Sequence, residues 1–317
     1  MVKYYNYVIF HKKCLDGFTG LLILHKTKLI HKDAKILPDV PSAQYSPDKI
    51  EGKDIIIIDV AYKYKVLKDI IMKASSVLFI DHHVTIREDV VKLEKEFKNK
   101  FKSVYDINKS GATLVWDYYF KSKSRPRFID YIQDNDIGTW KLYGVHEFIT
   151  ALHVNYNFEL SYDNIKKWSQ LYKKSSINKL IKLGKTYNEY KSWLVDENSK
   201  RISIEKFPSN LIYEKFPMIF NKPGQYKVAV YCGSSCPAAS QLAEKILSQT
   251  KCDFFMSWVL NLDRNDYVLT LRSNHVNVGN IAKIFNGGGH ELAAACSFKA
   301  DLYSITDLFY GESLPRN

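Results

Sequence analysis

Three short apolar runs, each ending on or just before an acid or a histidine, constrain the fold of this chain most strongly. Residues 77–83 (VLFIDHH), residues 54–60 (DIIIIDV) and residues 7–11 (YVIFH) all follow this design. Apolar runs of this length without alternation are typical of strands that are buried on both faces, as in parallel sheets. The sequence therefore predicts a parallel sheet in which three strands end in polar side chains.

These polar side chains are predicted to meet at one edge of the sheet, because open α/β sheets bind ligands beyond the carboxyl ends of their strands. The side chains placed there are His11, Asp16, Asp59 and His82. Carboxylates gathered at one edge repel each other unless a cation neutralises them. Imidazole and carboxylate ligands together suit Mn²⁺, and less exclusively Mg²⁺, Fe²⁺ or Co²⁺, rather than structural zinc. A divalent-metal site is thus expected.

The order of strand and helix patterns predicts two α/β units joined by helices. Strands and helices alternate up to about residue 121, which is typical of a mostly parallel sheet flanked by helices. A lysine-rich stretch of helical pattern follows, and further strand and helix patterns predict a smaller unit near the end of the chain. The predicted domains are residues 1–150, a helical connector at residues 151–201, and residues 202–317.

Composition narrows the compartment and the partners. The net charge of +12 suits a polyanionic partner. No apolar run approaches the roughly 18 residues of a membrane span, and no signal-peptide pattern precedes the first strand, so no membrane partner is expected. The five cysteines are odd in number and lack a paired zinc-type spacing, which favours a reducing cytoplasm over a disulfide framework. The oligomeric state stays open, with a homodimer as one alternative.

Motifs in both halves of the chain resemble one family. Asp81, His82 and His83 match the triad that names the DHH phosphoesterases. Residues 269–273 (LTLRS) and the turn at residues 286–295 (NGGGHELAAA) are similar to the signature of the DHHA1 domain that follows the DHH domain in part of that family. The resemblance implies a catalytic DHH domain at residues 1–150 and a substrate-binding DHHA1 domain at residues 202–317.

Two further segments resemble the oligoribonuclease, or nanoRNase-like, subgroup of this family. They are residues 109–116 (KSGATLVW) and residues 131–140 (YIQDNDIGTW), and the whole resemblance spans about residues 5–300. It implies short RNA or DNA oligonucleotides, or dinucleotides, as substrates.

The resemblance also implies a role for each residue of the metal site. The implied ligands are His11, Asp16, Asp59 as the bridging carboxylate, His82 and Asp134, with Asp136 as the alternative to Asp134. Asp81 would orient His82, and His83 would meet the phosphate or the leaving oxygen. A site with one bridging carboxylate can hold two ions roughly 3.5–4 Å apart, which polarise a phosphoryl oxygen and activate water.

Cys14 departs from the family pattern, in which a second acid commonly stands in the first motif. As a ligand, its thiolate would shift the metal preference from Mn²⁺ toward iron, cobalt or zinc. The alternative is a small buried residue that fills a turn. The number of metal ions depends on which of the two interpretations holds.

In the second half, the resemblance implies a substrate-binding surface. Its residues are Arg272, Ser273, Gly287, Gly288, Gly289 and His290. Backbone N–H groups of a glycine-rich turn can approach a phosphate, and Arg and His add directed donors. Such a surface would hold one end of a short nucleotide while the other end reaches the metals.

The predicted function is that of a metal-dependent phosphodiesterase, a hydrolase that cuts short oligonucleotides from an end, like an exonuclease, to nucleoside monophosphates. Cleavage of cyclic or linear dinucleotides is an alternative, as is removal of the 3′-phosphate from adenosine 3′,5′-bisphosphate. A hypothesis of another class is a non-catalytic nucleotide-binding protein in which Cys14 marks a decayed metal site.

Overall fold

The chain forms two compact α/β units. A computed structural model describes residues 4–233 and 239–311. The units divide between Asn188 and Glu189, which lie inside one long helix. The α/β class predicted from the sequence is confirmed, because each unit contains one sheet with helices packed on it.

The first unit is built on a five-stranded parallel sheet. Its strands are β1 (Tyr5–His11), β2 (Ile30–Asp39), β3 (Asp54–Ile58), β4 (Ser76–Asp81) and β5 (Phe101–Tyr105). The strand order is β2-β1-β3-β4-β5, and every neighbouring pair is parallel. From β1 the chain continues to β2 on one side, whereas from β3 it continues to β4 and β5 on the other side, so the strand order reverses between β1 and β3. The crevice beyond the carboxyl ends of these two strands is the expected ligand site.

Helices cover both faces of this sheet. They are α1 (Leu15–Thr27), α2 (Tyr64–Lys73), α3 (Arg87–Glu96), α4 (Gly111–Tyr119), α5 (Arg127–Asp136), α6 (Val145–Asn155), α7 (Tyr162–Ser169) and the first part of α8 (Lys174–Ser199). In β3, Ile56 and Ile58 pack with α1 and α4, whereas Ile55 and Ile57 pack with α2 and α3. The four isoleucines are fully buried because alternate side chains enter opposite cores.

The segment predicted as a connector, residues 151–201, is helical over most of its length. Trp168, Leu171, Ile177 and Leu180 are buried in the same core as α1 and α5. This part of the segment therefore belongs to the first unit by its packing.

The second unit contains a six-stranded sheet. Its strands are β6 (Ser203–Phe207), β7 (Tyr226–Cys232), β8 (Phe254–Asn261), β9 (Asp266–Ser273), β10 (Gly288–His290) and β11 (Ala293–Lys299), and its helices, besides the end of α8, are α9 (Asn210–Lys215), α10 (Ala239–Gln249) and α11 (Val278–Lys283). The order is β10-β11-β9-β8-β7-β6, with only β7 and β8 parallel. Four of the five cysteines lie in the described part of the chain, whereas Cys236 lies outside it. Across the described part of the chain, every helix is too short or too polar to cross a membrane.

Candidate metal centre

Asp59 occupies the centre of the candidate site. It follows β3, its side chain is buried, and its backbone has a left-handed φ of 61°. Oδ1 lies 3.3 Å from Nε2 of His82, and Oδ2 lies 3.4 Å from Nδ1 of His11. A residue other than glycine adopts this backbone conformation at an energetic cost, and such conformations cluster at functional sites. The turn thereby aims the carboxylate into the crevice between β1 and β4.

Asp16 lies in the first turn of α1, and the N-terminus of α4 holds its carboxylate. Its carboxylate accepts hydrogen bonds from the backbone N–H groups of Gly111 (2.5 Å) and Ala112 (2.9 Å), the first residues of α4. A helix N-terminus favours a negative charge. Burial nevertheless raises the pKa of Asp16 well above its ordinary value, and the carboxylate of Asp59 adds to the effect.

Gly111 is a site residue that the sequence analysis did not single out. A methyl group placed on it would lie 2.8 Å from Oδ2 of Asp16 and 3.0 Å from Cβ of Asp59. Only glycine lets α4 approach both carboxylates. The signal was present in residues 109–116, where Ser110 caps α4 and the glycine follows it.

His82 contacts both Asp59 and Asp136, the last residue of α5. Its Nε2 lies 3.3 Å from Oδ2 of Asp136 as well as 3.3 Å from Oδ1 of Asp59. Asp16, His82 and Asp136 offer ligand atoms that lie within 4.8 Å of one another. These three residues therefore form one candidate ligand group.

Asp134, which the sequence analysis preferred to Asp136, has its carboxylate engaged elsewhere. It accepts hydrogen bonds from the hydroxyl of Thr139 and from the backbone N–H groups of Lys141 (2.9 Å) and Leu142 (2.8 Å). These donors lower the pKa of Asp134 against the opposing effect of burial. Because these hydrogen bonds hold its oxygens at the loop after α5, Asp136, whose Oδ2 faces His82, is the acid of the two that belongs to a candidate ligand group.

Asp81 orients His83 rather than the ring of His82, contrary to the expectation from the sequence. Its Oδ1 lies 2.7 Å from Nδ1 of His83 and accepts from the backbone N–H groups of His82 (2.6 Å) and His83 (2.9 Å). The hydrogen bond to Asp81 raises the pKa of His83. Since Nδ1 is engaged, Nε2 is the nitrogen that His83 presents to a ligand.

Cys14 lies near the carboxylate of Asp59, in the same ligand group as His11. His11, Cys14 and Asp59 offer ligand atoms within 4.8 Å of one another. Burial raises the pKa of the Cys14 thiol, and the nearby Asp59 carboxylate raises it further. Close packing explains how His11 reaches this position, since a methyl group on Gly17 would lie 2.7 Å from Cβ of His11.

Several nitrogen and oxygen atoms of this cluster are buried and make no well-formed hydrogen bond. Among the described residues they include Nδ1 of His11, both oxygens of Asp59 and Oδ2 of Asp136. An unpaired buried polar atom is costly, and such atoms are rare in native proteins. These imidazole and carboxylate atoms face one another at 3.3–3.4 Å, and divalent cations bound there would take them as ligands.

The pKa values report the same concentration of charge. Burial alone would raise the pKa of Asp59, but the imidazoles of His11, His82 and His83 outweigh it and lower the value to about 2. Burial would lower the pKa of His82, but Asp59, Asp136 and Asp16 raise it to about 9. Burial and the Asp59 carboxylate raise the pKa of Asp136 to about 6. The carboxylates thus require nearby positive charge, which imidazolium or a metal ion can supply.

If Cys14 is a ligand, Cys14→Ser should weaken Co²⁺ binding and remove the thiolate-to-cobalt charge-transfer band. Cys14→Asp should raise the affinity for Mn²⁺, because a carboxylate suits this ion better than a thiolate does. The measurements are metal titrations followed by absorbance and calorimetry. The matched control is Cys232→Ser, which changes an exposed cysteine. Unchanged metal binding in both Cys14 variants would show that Cys14 only fills space.

The residues predicted to bind substrate in the second unit have unequal roles. Arg272 on β9 pairs with Ala293 on β11, which pairs in turn with His290 on β10. Directly opposed residues point to the same face of a sheet, so Arg272 and His290 share one face. The Ser273 hydroxyl instead donates to the carbonyl of Asp253 (2.7 Å) and accepts from backbone N–H groups, so it serves the turn after β9.

The three glycines also differ. A methyl group on Gly287 would lie 2.3 Å from the carbonyl oxygen of Ala295, and one on Gly289 would lie 2.5 Å from that of Ala293. Gly287 and Gly289 are therefore required for close packing of β10 on β11. Gly288 has no atom within 4 Å of such a methyl group, so its position is open to a ligand.

The chain is similar at low identity to a curated protein and to several solved structures. No protein-family model matches the chain. It is 28% identical over 306 residues to uncharacterized protein R106 of Acanthamoeba polyphaga mimivirus, which covers 92% of this chain and 67% of that protein.

Three solved structures are similar to the chain at low identity. A pGpG-specific phosphodiesterase from Vibrio cholerae is 12% identical, with 94% of each chain covered and a TM-score of 0.47. An exopolyphosphatase-related protein from Bacteroides fragilis is 15% identical, with 92% of this chain and 86% of that chain covered and a TM-score of 0.39. An uncharacterized protein from Helicobacter pylori G27 is 16% identical, with 92% of each chain covered and a TM-score of 0.37. Likeness at this level assigns neither a family nor a substrate.

Proposed function

We propose that this protein is a metal-dependent phosphoesterase that hydrolyses phosphodiester bonds in short oligonucleotides to give nucleoside monophosphates. One observation carries the proposal, namely the set of buried, unpaired carboxylate and imidazole atoms beyond β1, β3 and β4. The resemblance of the DHH triad and of the second-unit motifs to DHH phosphoesterases supports it. The net charge of +12 suits a polyanionic substrate.

The ligand atoms form three overlapping groups around Asp59 and His82. His11 and Cys14 share a group with Asp59, His82 and His83 share a second with Asp59, and Asp16 and Asp136 share a third with His82. Divalent ions held there would polarise a phosphoryl oxygen and lower the pKa of a water molecule. Two ions sharing Asp59 are proposed, with Mn²⁺ as the favoured metal and Mg²⁺, Fe²⁺ or Co²⁺ as alternatives.

His83 is proposed to give a proton to the leaving oxygen. Asp81 holds its Nδ1, and this hydrogen bond raises the pKa of His83, which favours the proton-carrying form of the ring. Its side chain is partly exposed, whereas that of Asp81 is fully buried. Nε2 can thus meet substrate while Asp81 fixes the ring and stabilises the imidazolium.

The alternatives from the sequence are ranked by the same site. Cyclic and linear dinucleotides, and adenosine 3′,5′-bisphosphate, contain phosphate esters that this centre could cleave, so they belong in the substrate panel. A non-catalytic protein with a decayed metal site fits less well. A decayed site would not need to keep Asp59 in a left-handed backbone conformation with both oxygens unpaired.

The test is hydrolysis of a substrate panel with and without Mn²⁺, together with metal analysis of the purified protein. The panel holds RNAs and DNAs of two to five nucleotides, cyclic dinucleotides, adenosine 3′,5′-bisphosphate and pyrophosphate. We expect bound divalent metal and fastest release of monophosphates from the short oligonucleotides. Turnover that does not depend on metal would overturn the proposal. So would the absence of turnover for every phosphate ester of the panel, whether Mn²⁺, Mg²⁺, Fe²⁺ or Co²⁺ is added.

The half-buried Arg272 and the exposed His290, on one face of the second-unit sheet, are proposed to bind a phosphate of the substrate. Arg272→Ala or His290→Ala should raise KM for oligonucleotides about 10- to 100-fold, because a charged hydrogen bond contributes roughly 1.5–3 kcal/mol. Hydrolysis of bis-p-nitrophenyl phosphate should be nearly unchanged. Arg264→Ala, which removes an exposed arginine of the same unit, is the matched control. Equal losses on both substrates would refute a role confined to phosphate binding.

A further inference from the structure

The loop that follows α5, residues 137–144, is held rigidly by Asp134. The Asp134 carboxylate accepts from Thr139, Lys141 and Leu142. Its backbone carbonyl accepts from the N–H groups of Thr139 (3.1 Å) and Trp140 (3.3 Å). One nearly buried residue thus fixes four consecutive residues of the loop.

Trp140 is displayed on this loop in a conformation that costs free energy. Its side chain is 58% exposed, and its backbone has a left-handed φ of 46°. Bulky side chains rarely adopt this backbone conformation. A large exposed apolar ring also forgoes the stabilisation that burial would give. Strain and exposure at one rigidly held residue indicate a function outside the fold itself.

The indole ring has defined neighbours. A methyl group placed on Gly138 would lie 4.0 Å from Cζ2 of Trp140, and the ring centroid lies 5.6 Å from that of His146, at an interplanar angle of 43°. The ring therefore lies close to Gly138 and His146, and more than half of the side chain is exposed. Gly138 stands only two residues after Asp136, whose Oδ2 faces His82.

The metal centre and the indole are thus adjacent parts of one segment. The carbonyl of Asp134 bonds to the N–H of Trp140, and Asp136 in the same last turn of α5 is a candidate ligand. A phosphate ester at the metals would carry its sugar and base a few ångströms from the phosphorus. A rigid, exposed aromatic ring on the segment that also carries Asp136 can stack on any nucleobase, because every base offers a π-face.

We propose that Trp140 stacks on a nucleobase of the substrate next to the phosphate that is hydrolysed. This inference rests on the proposed function and deepens it. It makes the substrate a nucleotide with a base beside the scissile bond, in place of an inorganic pyrophosphate or polyphosphate. Stacking of this kind tolerates all four bases, so little sequence preference is expected.

The test compares a 5′-phosphorylated dinucleotide with the same molecule in which one base is replaced by an abasic tetrahydrofuran, at each position in turn. In the parent, loss of the stacked base should lower kcat/KM about 5- to 150-fold, the range of base–aromatic stacking. Trp140→Ala should lower kcat/KM for the full dinucleotide by a similar factor. It should leave kcat/KM unchanged for the dinucleotide that lacks the stacked base. Trp140→Phe should restore most of the difference.

Trp193→Ala is the matched control, because Trp193 is a tryptophan of similar exposure, 54%, on α8. It should behave as the parent on both substrates. Equal losses from Trp140→Ala on the full and abasic dinucleotides, or no loss on either, would overturn the stacking proposal.

A second readout separates this proposal from the proposed function. If the parent hydrolyses no phosphate ester of the substrate panel, the proposed function fails, and stacking is then tested by titration of tryptophan fluorescence with adenosine monophosphate. Quenching in the parent and in Trp193→Phe, but not in Trp140→Phe, supports the stacking role. Quenching that is absent from the parent, or that survives Trp140→Phe, overturns it.

Discussion

Asp59→Asn is expected to lower kcat/KM by about 1,000-fold or more while the protein stays folded. An amide cannot supply the negative charge that divalent cations at this site would need from residue 59. Asn is among the residues that best tolerate a left-handed backbone, so the turn at φ 61° should persist. The measurement is steady-state hydrolysis of a short oligonucleotide with Mn²⁺, with circular dichroism as the check on folding.

Thermal unfolding gives this variant a second readout. Bound Mn²⁺ should stabilise the parent, by about 2.7 kcal/mol at a concentration 100 times its Kd, and Asp59→Asn should lose this effect. Without metal, the variant loses the attraction of Asp59 to three imidazoles but also its repulsion of Asp16 and Asp136, so its stability should change by only about 1–2 kcal/mol. Asp33→Asn changes an exposed carboxylate and is the matched control. Mn²⁺-dependent turnover at the parent's rate would refute a metal role for Asp59.

The same substitution at Asp134 and at Asp136 should have opposite effects. Asp136→Asn should lower kcat/KM by about 100-fold or more with little change in metal-free stability, because burial and the Asp59 carboxylate oppose the charge of Asp136 and offset its attraction to His82. Asp134→Asn should lower the free energy of unfolding by about 1–3 kcal/mol, since one loop donor would then face an amide N–H group. Both variants are measured by denaturant unfolding and by Mn²⁺ titration.

The two substitutions control for each other, since they make the same chemical change two residues apart on one helix. Asp134→Asn should bind Mn²⁺ with nearly the parent's affinity once it is folded. If Asp134→Asn abolishes Mn²⁺ binding and Asp136→Asn retains it, Asp134 is the ligand and the structural preference for Asp136 is wrong.

Much of the fold follows from local patterns in the sequence. Uninterrupted isoleucines at residues 55–58 require a strand with a core on each face, and the structure has both cores. Placing Asp59 and His82 at one sheet edge follows from the same pattern, because parallel strands end on the same side. The pattern of residues 159–195 predicts a lysine-rich helical segment, but its buried Trp168 and Leu171 show that composition did not reveal its packing.

The sequence by itself determined which residue types reach the site and on which strands they stand. Only the tertiary structure decided how neighbouring residues divide their roles. Asp134 and Asp136 stand two residues apart on α5, but one faces the loop donors at Lys141 and Leu142 and the other faces His82. In the same way, contacts between distant segments assigned Asp81 to His83 and Gly111 to the two buried carboxylates. Side-chain direction depends on helix rotation and on partners far along the chain, and spacing in one sequence does not specify these.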